Sequence, residues 1–526
     1  MEQKLEKKAN QIVDTDDVKN VPCCLSQRWI LAYIGFFGFV CMYALRVNLS
    51  VGIVCMVKSY PENSTNAANN TNPACDEQTS NSSSSNTEEF DWTKSEQATL
   101  LSAYFYGYLV TQMPGGWLAG RFGGKRVIGF GLVISFLLNS LTPVASRYDI
   151  RVVTAIRVLL GLASGLMFPA FHSMWGKWAP PLERSRLTSF CYAGSFVGNI
   201  ITFAASGLLC DYGFDNGWGS IFYLTSIVTV IWLVLWFIFV ADTPTEHPRI
   251  SEAERIYIES GIGDKQTRVL TTPWLAIAKS RAMQACLVAH FCNNWINYTL
   301  LTGLPTFMKE VLKFDIKSNG ILSAVPYIAM TASTVLSGQA ADFLRTKSFS
   351  IKAIRKFFQI TAFVGAGACL VATGFVSCEQ KMIGVVLLTL AVTFEGMCFA
   401  GYMVNQVDFA PRYAGVLFGI NNAIASVPGM VAPLVVGALT PNKTQEEWRN
   451  VFYVCGGVCL LGATVFGLFA RTDLEPWAAE PVETEIQDTI KKVEEYLQKN
   501  TVIHDNKAFD KSDLNEEKGS TISIKL

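Results

Sequence analysis

The sequence predicts an all-α membrane protein of twelve transmembrane helices arranged as two six-helix halves. Three observations carry this. Half of the 526 residues are apolar and only 16% are charged, where a soluble chain carries nearer ~25%, and mean hydropathy is +0.28. Apolar stretches of about 20 residues recur along the chain, each long enough to cross ~30 Å of hydrocarbon as a helix. A short cationic turn recurs at the same place in each half. Basic and acidic residues balance at 43 each, so no net field suggests nucleic acid as a partner; the expected surroundings are the lipid bilayer.

The elements follow in order. Residues 1–29 form a polar segment in which Cys23 and Cys24 are read as unmodified thiols, with palmitoylation the alternative. Spans are expected at 30–57, 96–118, 127–146, 150–172, 186–209, 220–241, 283–308, 319–341, 354–377, 381–405, 411–440 and 448–471. The first lacks a small-residue cleavage site and precedes many more, so it reads as a retained helix. The Ser/Asn-rich loop at 58–95 carries glycosylation acceptors at Asn63, Asn69 and Asn81, which suits a lumenal or extracellular location. Cations gather on the other side: Arg121, Lys125 and Arg126 after span two, Lys177, Arg184 and Arg186 after span four, and Arg345, Lys347, Lys352, Arg355 and Lys356 after span eight. The excess of Lys and Arg there places both termini in the cytoplasm. Residues 242–282 form a long cytoplasmic connection dividing a half at 30–241 from a half at 283–471, and the charged tail at 472–526 is expected to be disordered.

GGWLAGRFGGKR after span two answers SGQAADFLRTK after span eight, with Arg121 or Arg345 in the short turn. Two six-helix halves repeating such a turn mark a major facilitator architecture with a central site between the halves. Fourteen cysteines lie mostly inside apolar runs without CxxC or metal-ligand spacing. They read as small core residues, and neither a metal nor a cofactor is expected. No GxxxxGK[ST], HExxH or GxSxG occurs, so nothing signals ATP binding or hydrolase chemistry; the chain is not expected to be an enzyme.

The polar residues inside the spans carry the functional reading. Arg46 lies about 11 residues, roughly 16 Å, from the outer end of span one, and Arg157 about 7 residues, roughly 10 Å, from that of span four. A charge at the bilayer centre costs at least ~2.5–3.5 kcal/mol on insertion scales. A guanidinium binds carboxylate or phosphate in bidentate fashion and keeps its proton at any physiological pH. Both arginines are therefore candidate contacts for a small anionic solute, against the alternative of arginines satisfied by backbone carbonyls or snorkelling to the interface. Asn293, Asn294, Tyr298 and Thr299 cluster in span seven, and Asn405 and Gln406 close span ten; such groups bridge helices or offer neutral partners to a substrate. His172 and His290 are proton relays or packing histidines. Glu395, mid-span in span ten, can carry a coupling proton, help hold a sodium ion, or pair with an arginine or hydroxyl. Asp408 lies at the end of the same span, where Arg412 can neutralise it.

The segments YALRVNLSV, QMPGGWLAGRFGGKRV, FPAFHSMWGKWAPPLERSRL, LSGQAADFLR and VDFAPRYAGVLFGINNAIASVPGMVAPLVVG resemble the anion/cation symporter family of the major facilitator superfamily, the group of sialin, the vesicular glutamate transporters and the type I sodium-phosphate cotransporters. The likeness covers about residues 25 to 478, and AHFCNNW followed by YTLLTGLPTFMKEVL is most like the sialin branch. It implies that Arg46 contacts a substrate carboxylate, supports Arg157 in the same site, and makes His172 a candidate in proton coupling. Three departures stand out. Asn293 replaces the span-seven arginine of glutamate-transporting relatives. Leu160 and Ser164 stand where sialin-like members carry acidic residues, and Asn405-Gln406-Val407-Asp408 lacks the histidine of the family's NHLD. Glu395, with Asp408, is then the candidate replacement for the coupling carboxylate. The expected function is secondary active transport of a small organic anion, of acidic-sugar or acidic-amino-acid type, coupled to H+ or Na+ by alternating access, with the monomer as the working unit. A sodium-dependent phosphate cotransporter is the first alternative and an anion channel the second. The resemblance suggests a lysosomal or vesicular membrane; neither tail shows an acidic dileucine signal, which leaves the plasma membrane open.

Overall fold

The structure is a computed structural model and describes residues 25–58, 88–180, 183–262 and 272–478. Asn63, Asn69, Asn81, Cys23, Cys24 and the tail beyond residue 478 lie outside the described residues. Among the described residues the chain is helical throughout, apart from a single parallel bridge between Val57 and Phe90 that closes the base of the first loop.

Span one is Gln27–Met56, span two Lys94–Phe122, span three Gly124–Tyr148, span five Arg184–Tyr212 and span six Trp218–Phe239. In the second half, span seven is Arg281–Glu310, span eight Ile316–Thr346, span nine Ile351–Thr373 and span twelve Gln445–Phe469. Three spans are interrupted where the expected spans run on. Span four stops at Gly165 and restarts at Met167, two residues before Pro169. Span ten runs Lys381–Gly396, tightens to a 3-10 turn over Met397–Ala400 and resumes as Tyr402–Phe409. Span eleven breaks at Ser426, between Ala414–Ala425 and Val427–Leu439. Spans four and ten occupy corresponding places in the two halves. Broken helices are tolerated at membrane depth only where protein or a water-filled cavity receives the freed backbone groups.

Among the described residues, ten helical stretches are long and apolar enough to cross a membrane. Spans two and seven, 29 and 30 residues long, are long enough but not among those ten. They carry the tyrosines, asparagines and His290 that line the interior, and they lie at the junction of the halves, span two against span eleven and span seven against span one. Spans five and eight form the symmetry-related contact. There Gly207 and Gly320 meet backbone to backbone, so that a Cβ built on Gly320 would stand 2.5 Å from the Gly207 Cα.

Span three shows the inverted pattern of a lipid-facing helix. It exposes Phe130, Ile134, Leu137, Leu141 and Val144 along one stripe while burying Ser135 and Asn139. At the cationic turn after span two, Gly123 takes a φ of +90°, which a side chain would resist. The next turn is held by Asp242, whose carboxylate accepts from the Lys125 backbone N–H at 2.7 Å. The long connection is not bare loop, since it holds helices Glu252–Ile262 and Trp274–Lys279. Arg28 at the start of span one ties the first of these to the bundle through Glu254 at 3.2 Å and Glu183 at 2.7 Å.

One sequence expectation is corrected. The cysteines are not all packing residues: Cys55 and Cys210 form a disulfide joining spans one and five, and Cys378 is disulfide-bonded too. The first pair is 155 residues apart, which no local motif announces.

Candidate functional site

Arg46 stands at the junction of the halves. It is 7% exposed, and among the described residues it makes no ion pair. Its Nε and Nη2 are buried without a hydrogen-bond partner. Five rings enclose the guanidinium: Phe105 at 4.7 Å, Tyr298 at 5.0 Å, and Tyr43, Tyr104 and Tyr108 each at 5.3 Å. A cation over a ring gains about 0.5–2 kcal/mol, more when desolvated, so a cage of rings gives stabilisation of the same order as the insertion cost of the charge. The cage holds the cation without neutralising it.

The cage depends on close helix packing. Tyr104 and Tyr108 are one turn apart on span two, and Gly161 and Gly165 of span four let that helix approach their backbone. Tyr298 comes from span seven, so the ring set bridges both halves. A pocket lined by Arg46, Ser50, Tyr104, Phe105, Arg157 and Thr302 opens beside it.

The structure brings Arg157 into the same pocket but holds it differently. Its Nη1 donates to the Leu45 carbonyl at 3.3 Å and its Nη2 to Asn48 Oδ1 at 3.2 Å. Asn48 in turn donates to Asn139 at 2.8 Å, and Asn139 reaches Ser226 at 2.9 Å. This buried network ties spans one, three, four and six together.

The span-seven cluster divides. Asn293 is buried with its Oδ1 unpartnered. Asn294 is occupied, donating to the Ala425 carbonyl at 2.7 Å where span eleven breaks. Thr299 bonds back to the Trp295 carbonyl. Asn405 donates to the Arg471 carbonyl at 2.9 Å, while Gln406 keeps an unpartnered Nε2.

His172 is exposed, with its ring 5.3 Å from Tyr192 and 5.7 Å from Phe418 of the opposite half. His290 is buried, 5.0 Å from Tyr402, and its Nδ1 lacks a partner. Glu395 is 2% exposed and neither carboxyl oxygen has a hydrogen-bond partner. Asp408 is engaged by a partner distant in sequence: Arg355 of span nine holds it in a forked pair at 2.7 and 3.2 Å while also donating to the Ala400 carbonyl at 3.0 Å; the Arg412 side chain lies outside the described residues.

The two faces of the bundle close by different means. On the face carrying the 58–95 loop, Lys94 of span two pairs with Glu310 of span seven, and Trp448 donates to the same carboxylate at 3.1 Å. Lys309 donates to the Val54 carbonyl at 2.7 Å and to Glu88 at 3.0 Å. On the cationic face the halves meet through rings, His172 with Phe418 and Phe196 with Phe399. Asn422 donates to Gln112 at 3.2 Å deeper in the junction. Among the described residues no ion pair joins the halves on that face.

Sequence reasoning missed the cage and both clasps. The signal for the cage was two tyrosines at i and i+4, Tyr104 and Tyr108, with a third, Tyr43, one turn before Arg46. Which helix faces Arg46 is a tertiary fact.

The model of the Major Facilitator Superfamily matches residues 35–433. Sialin of Homo sapiens is 42% identical over 461 residues, covering 87% of this chain and 92% of that protein. Vesicular glutamate transporter 1 of Xenopus laevis is 37% identical over 466 residues, covering 88% and 77%. Among solved structures, a bacterial homolog to the human lysosomal transporter Spinster, inward-facing and unoccupied, superposes with a TM-score of 0.64 at 12% identity, covering 86% of this chain and 99% of that one.

Proposed function

Since the chain belongs to the Major Facilitator Superfamily, in the group of sialin and the vesicular glutamate transporters, we propose that it is a secondary transporter whose substrate carboxylate is bound by Arg46. The observation that carries this reading is the buried, caged guanidinium with Nε and Nη2 unpartnered. A carboxylate has the fork geometry to meet two guanidinium N–H groups at once.

Arg46 is a residue of the first half, whereas Tyr298 and Asn293 belong to the second. A substrate held between them favours the state in which the halves approach, and a ligand shifts an equilibrium by its differential affinity for the two states. The unpartnered Asn293 amide oxygen accepts from a hydroxyl or ammonium group. The rings around Arg46 suit the carbon face of a small organic acid. Both features favour an acidic sugar or acidic amino acid over inorganic phosphate. Transport then proceeds by opening the clasped loop face and the ring-closed cationic face in turn, with H+ or Na+ as the driving ion and one chain as the working unit.

The disulfide between Cys55 and Cys210 lies at the same end as the loop with the glycosylation acceptors. Disulfides persist in oxidising compartments, which supports a lumenal or extracellular location for that face and cytoplasmic termini. A lysosomal or vesicular membrane is the reading in keeping with the sialin and vesicular transporter relatives.

The test is uptake by purified protein in liposomes, with proton and sodium gradients imposed separately and sialic acid, glucuronate, glutamate, aspartate and phosphate as solutes. Saturable, gradient-driven uptake of an organic acid that is lost in Arg46→Ala is the expected result. Uptake of phosphate alone, or a purely voltage-driven current, would overturn it.

A further inference from the structure

Among the described residues, Glu395 is an intramembrane carboxyl that the anion site leaves unexplained. We propose that it is a proton-binding site in the second half of the molecule, loaded and emptied once per transport cycle. The proposal rests on the transporter reading above and deepens it by naming the coupling ion and the group that carries it.

Three observations converge. First, the carboxyl is 2% exposed, with both oxygens lacking a hydrogen-bond partner, and it makes no ion pair among the described residues. Second, the groups found interacting with it are neutral ones: Asn297 on span seven, Tyr327 on span eight, Cys398 and Tyr402 on its own span, Cys455 and Cys459 on span twelve. Of the cations of span nine, Arg355 is committed to Asp408 and Lys356 to the Gly467 carbonyl at 2.6 Å, while Lys352 is exposed at the helix start. An ionised carboxylate in this setting would have no counter-charge and only the neutral Asn297 amide and nearby hydroxyls or thiols as donors, and such burial is strongly unfavourable. The neutral acid brings its own proton. A bare metal cation fits poorly, because hard cations gather several oxygen ligands, whereas the surroundings here are largely thiols and phenols.

Third, the helix changes geometry one residue beyond this carboxyl. Regular α-helix ends at Gly396, a 3-10 turn covers Met397–Ala400, and the next segment begins at Tyr402. Mid-helix 3-10 turns often mark hinges. A pivot here moves Glu395 relative to spans seven, eight and twelve, which gives the carboxyl a dry state and a wetted one. In the wetted state facing the acidic compartment, a carboxylate oxygen takes a proton from water and an O–H bond forms. In the wetted state facing the other compartment, that bond breaks and the proton returns to water.

The experiment uses the full-length protein in liposomes with radiolabelled glucuronate and glutamate. Counterflow exchange without any ion gradient is measured beside accumulation driven by an inward proton gradient, with a pH-sensitive dye inside reporting proton entry. Glu395→Gln, which mimics the protonated acid, is expected to keep exchange within about twofold of the unmodified protein. Its proton-driven accumulation should fall at least tenfold, and substrate-dependent proton entry should disappear. Glu395→Asp should restore accumulation with a displaced pH optimum. Unchanged accumulation and proton entry in Glu395→Gln would overturn the proposal, as would loss of exchange that Glu395→Asp fails to restore. Accumulation by the unmodified protein under a sodium gradient alone would also overturn it. Absence of exchange in the unmodified protein contradicts the transporter reading itself, and so is distinguishable from failure of the Glu395 assignment.

Discussion

Arg46 and Arg157 share a pocket and a chemistry, and the structure treats them differently. Arg157 gives two N–H groups to the Leu45 carbonyl and Asn48 and so joins a network crossing four helices. Arg46 is surrounded by rings, which stabilise its charge from all sides and accept no strong hydrogen bond from it. The contrast separates two uses of a buried cation. Although the Arg157 Nε, like that of Arg46, is buried without a partner, a guanidinium whose two terminal nitrogens are bonded to fixed acceptors is part of the scaffold. One held by ring faces keeps its donors free for a ligand that arrives and leaves.

The largest effects should come from exchanging these roles. Arg46→Ala is expected to reduce organic-anion uptake at least ~100-fold, since truncating one partner of a buried charge pair costs about 2–5 kcal/mol or more. Its thermal midpoint in detergent should move by only a few degrees. Arg46→Lys keeps the charge and loses the fork, and its uptake should fall between the two.

Arg157→Leu should show the opposite profile, with a clear loss of thermal stability. Asn48 Oδ1 would be left buried without its donor at about 1–3 kcal/mol, and Asn48→Ala should resemble it in denaturation measurements. An Arg157→Leu protein with unchanged stability and no uptake would break the distinction.

Smaller effects sharpen it. Tyr298→Leu removes one ring of the cage, worth about 0.5–2 kcal/mol, and should raise the uptake KM several-fold with little change in stability, whereas Tyr298→Phe should be near neutral. The loop-face clasp supplies a further test. Glu310→Gln leaves the Lys94 ammonium, only 10% exposed, without its counter-charge, and breaking a largely buried pair is destabilising, so closure should weaken. The weakening should appear as a shift toward the open state in spin-label distances across that face. No shift would assign closure to the Gly207–Gly320 contact instead.

Much of this arrangement was legible in the sequence, for identifiable reasons. Span number, the paired cationic turns and the depth of Arg46 and Glu395 follow from one-dimensional spacing, because a helix converts residue count directly into depth. The partners of those residues do not. Asp408 finds Arg355 across 53 residues, and Cys55 finds Cys210 across 155. Asn294 bonds to a carbonyl freed at the helix break just before Pro428; the proline marks the break, but not which side chain caps it. The depth of Arg157 predicted its place in the pocket, but only the position of Asn48 on the neighbouring helix assigned it to the scaffold. Spacing along a helix tells which residues are deep; the packing of other helices decides which of them are free.

The most direct test of the central claim is competition for uptake by an acid and its uncharged analogue. Glucuronate and glucuronamide differ chiefly at the group that Arg46 is held to bind. The account predicts that glucuronate inhibits labelled organic-anion uptake by the unmodified protein, while glucuronamide inhibits at least tenfold more weakly. It also predicts that residual binding to Arg46→Ala no longer distinguishes the two. Equal inhibition by acid and amide in the unmodified protein would contradict it.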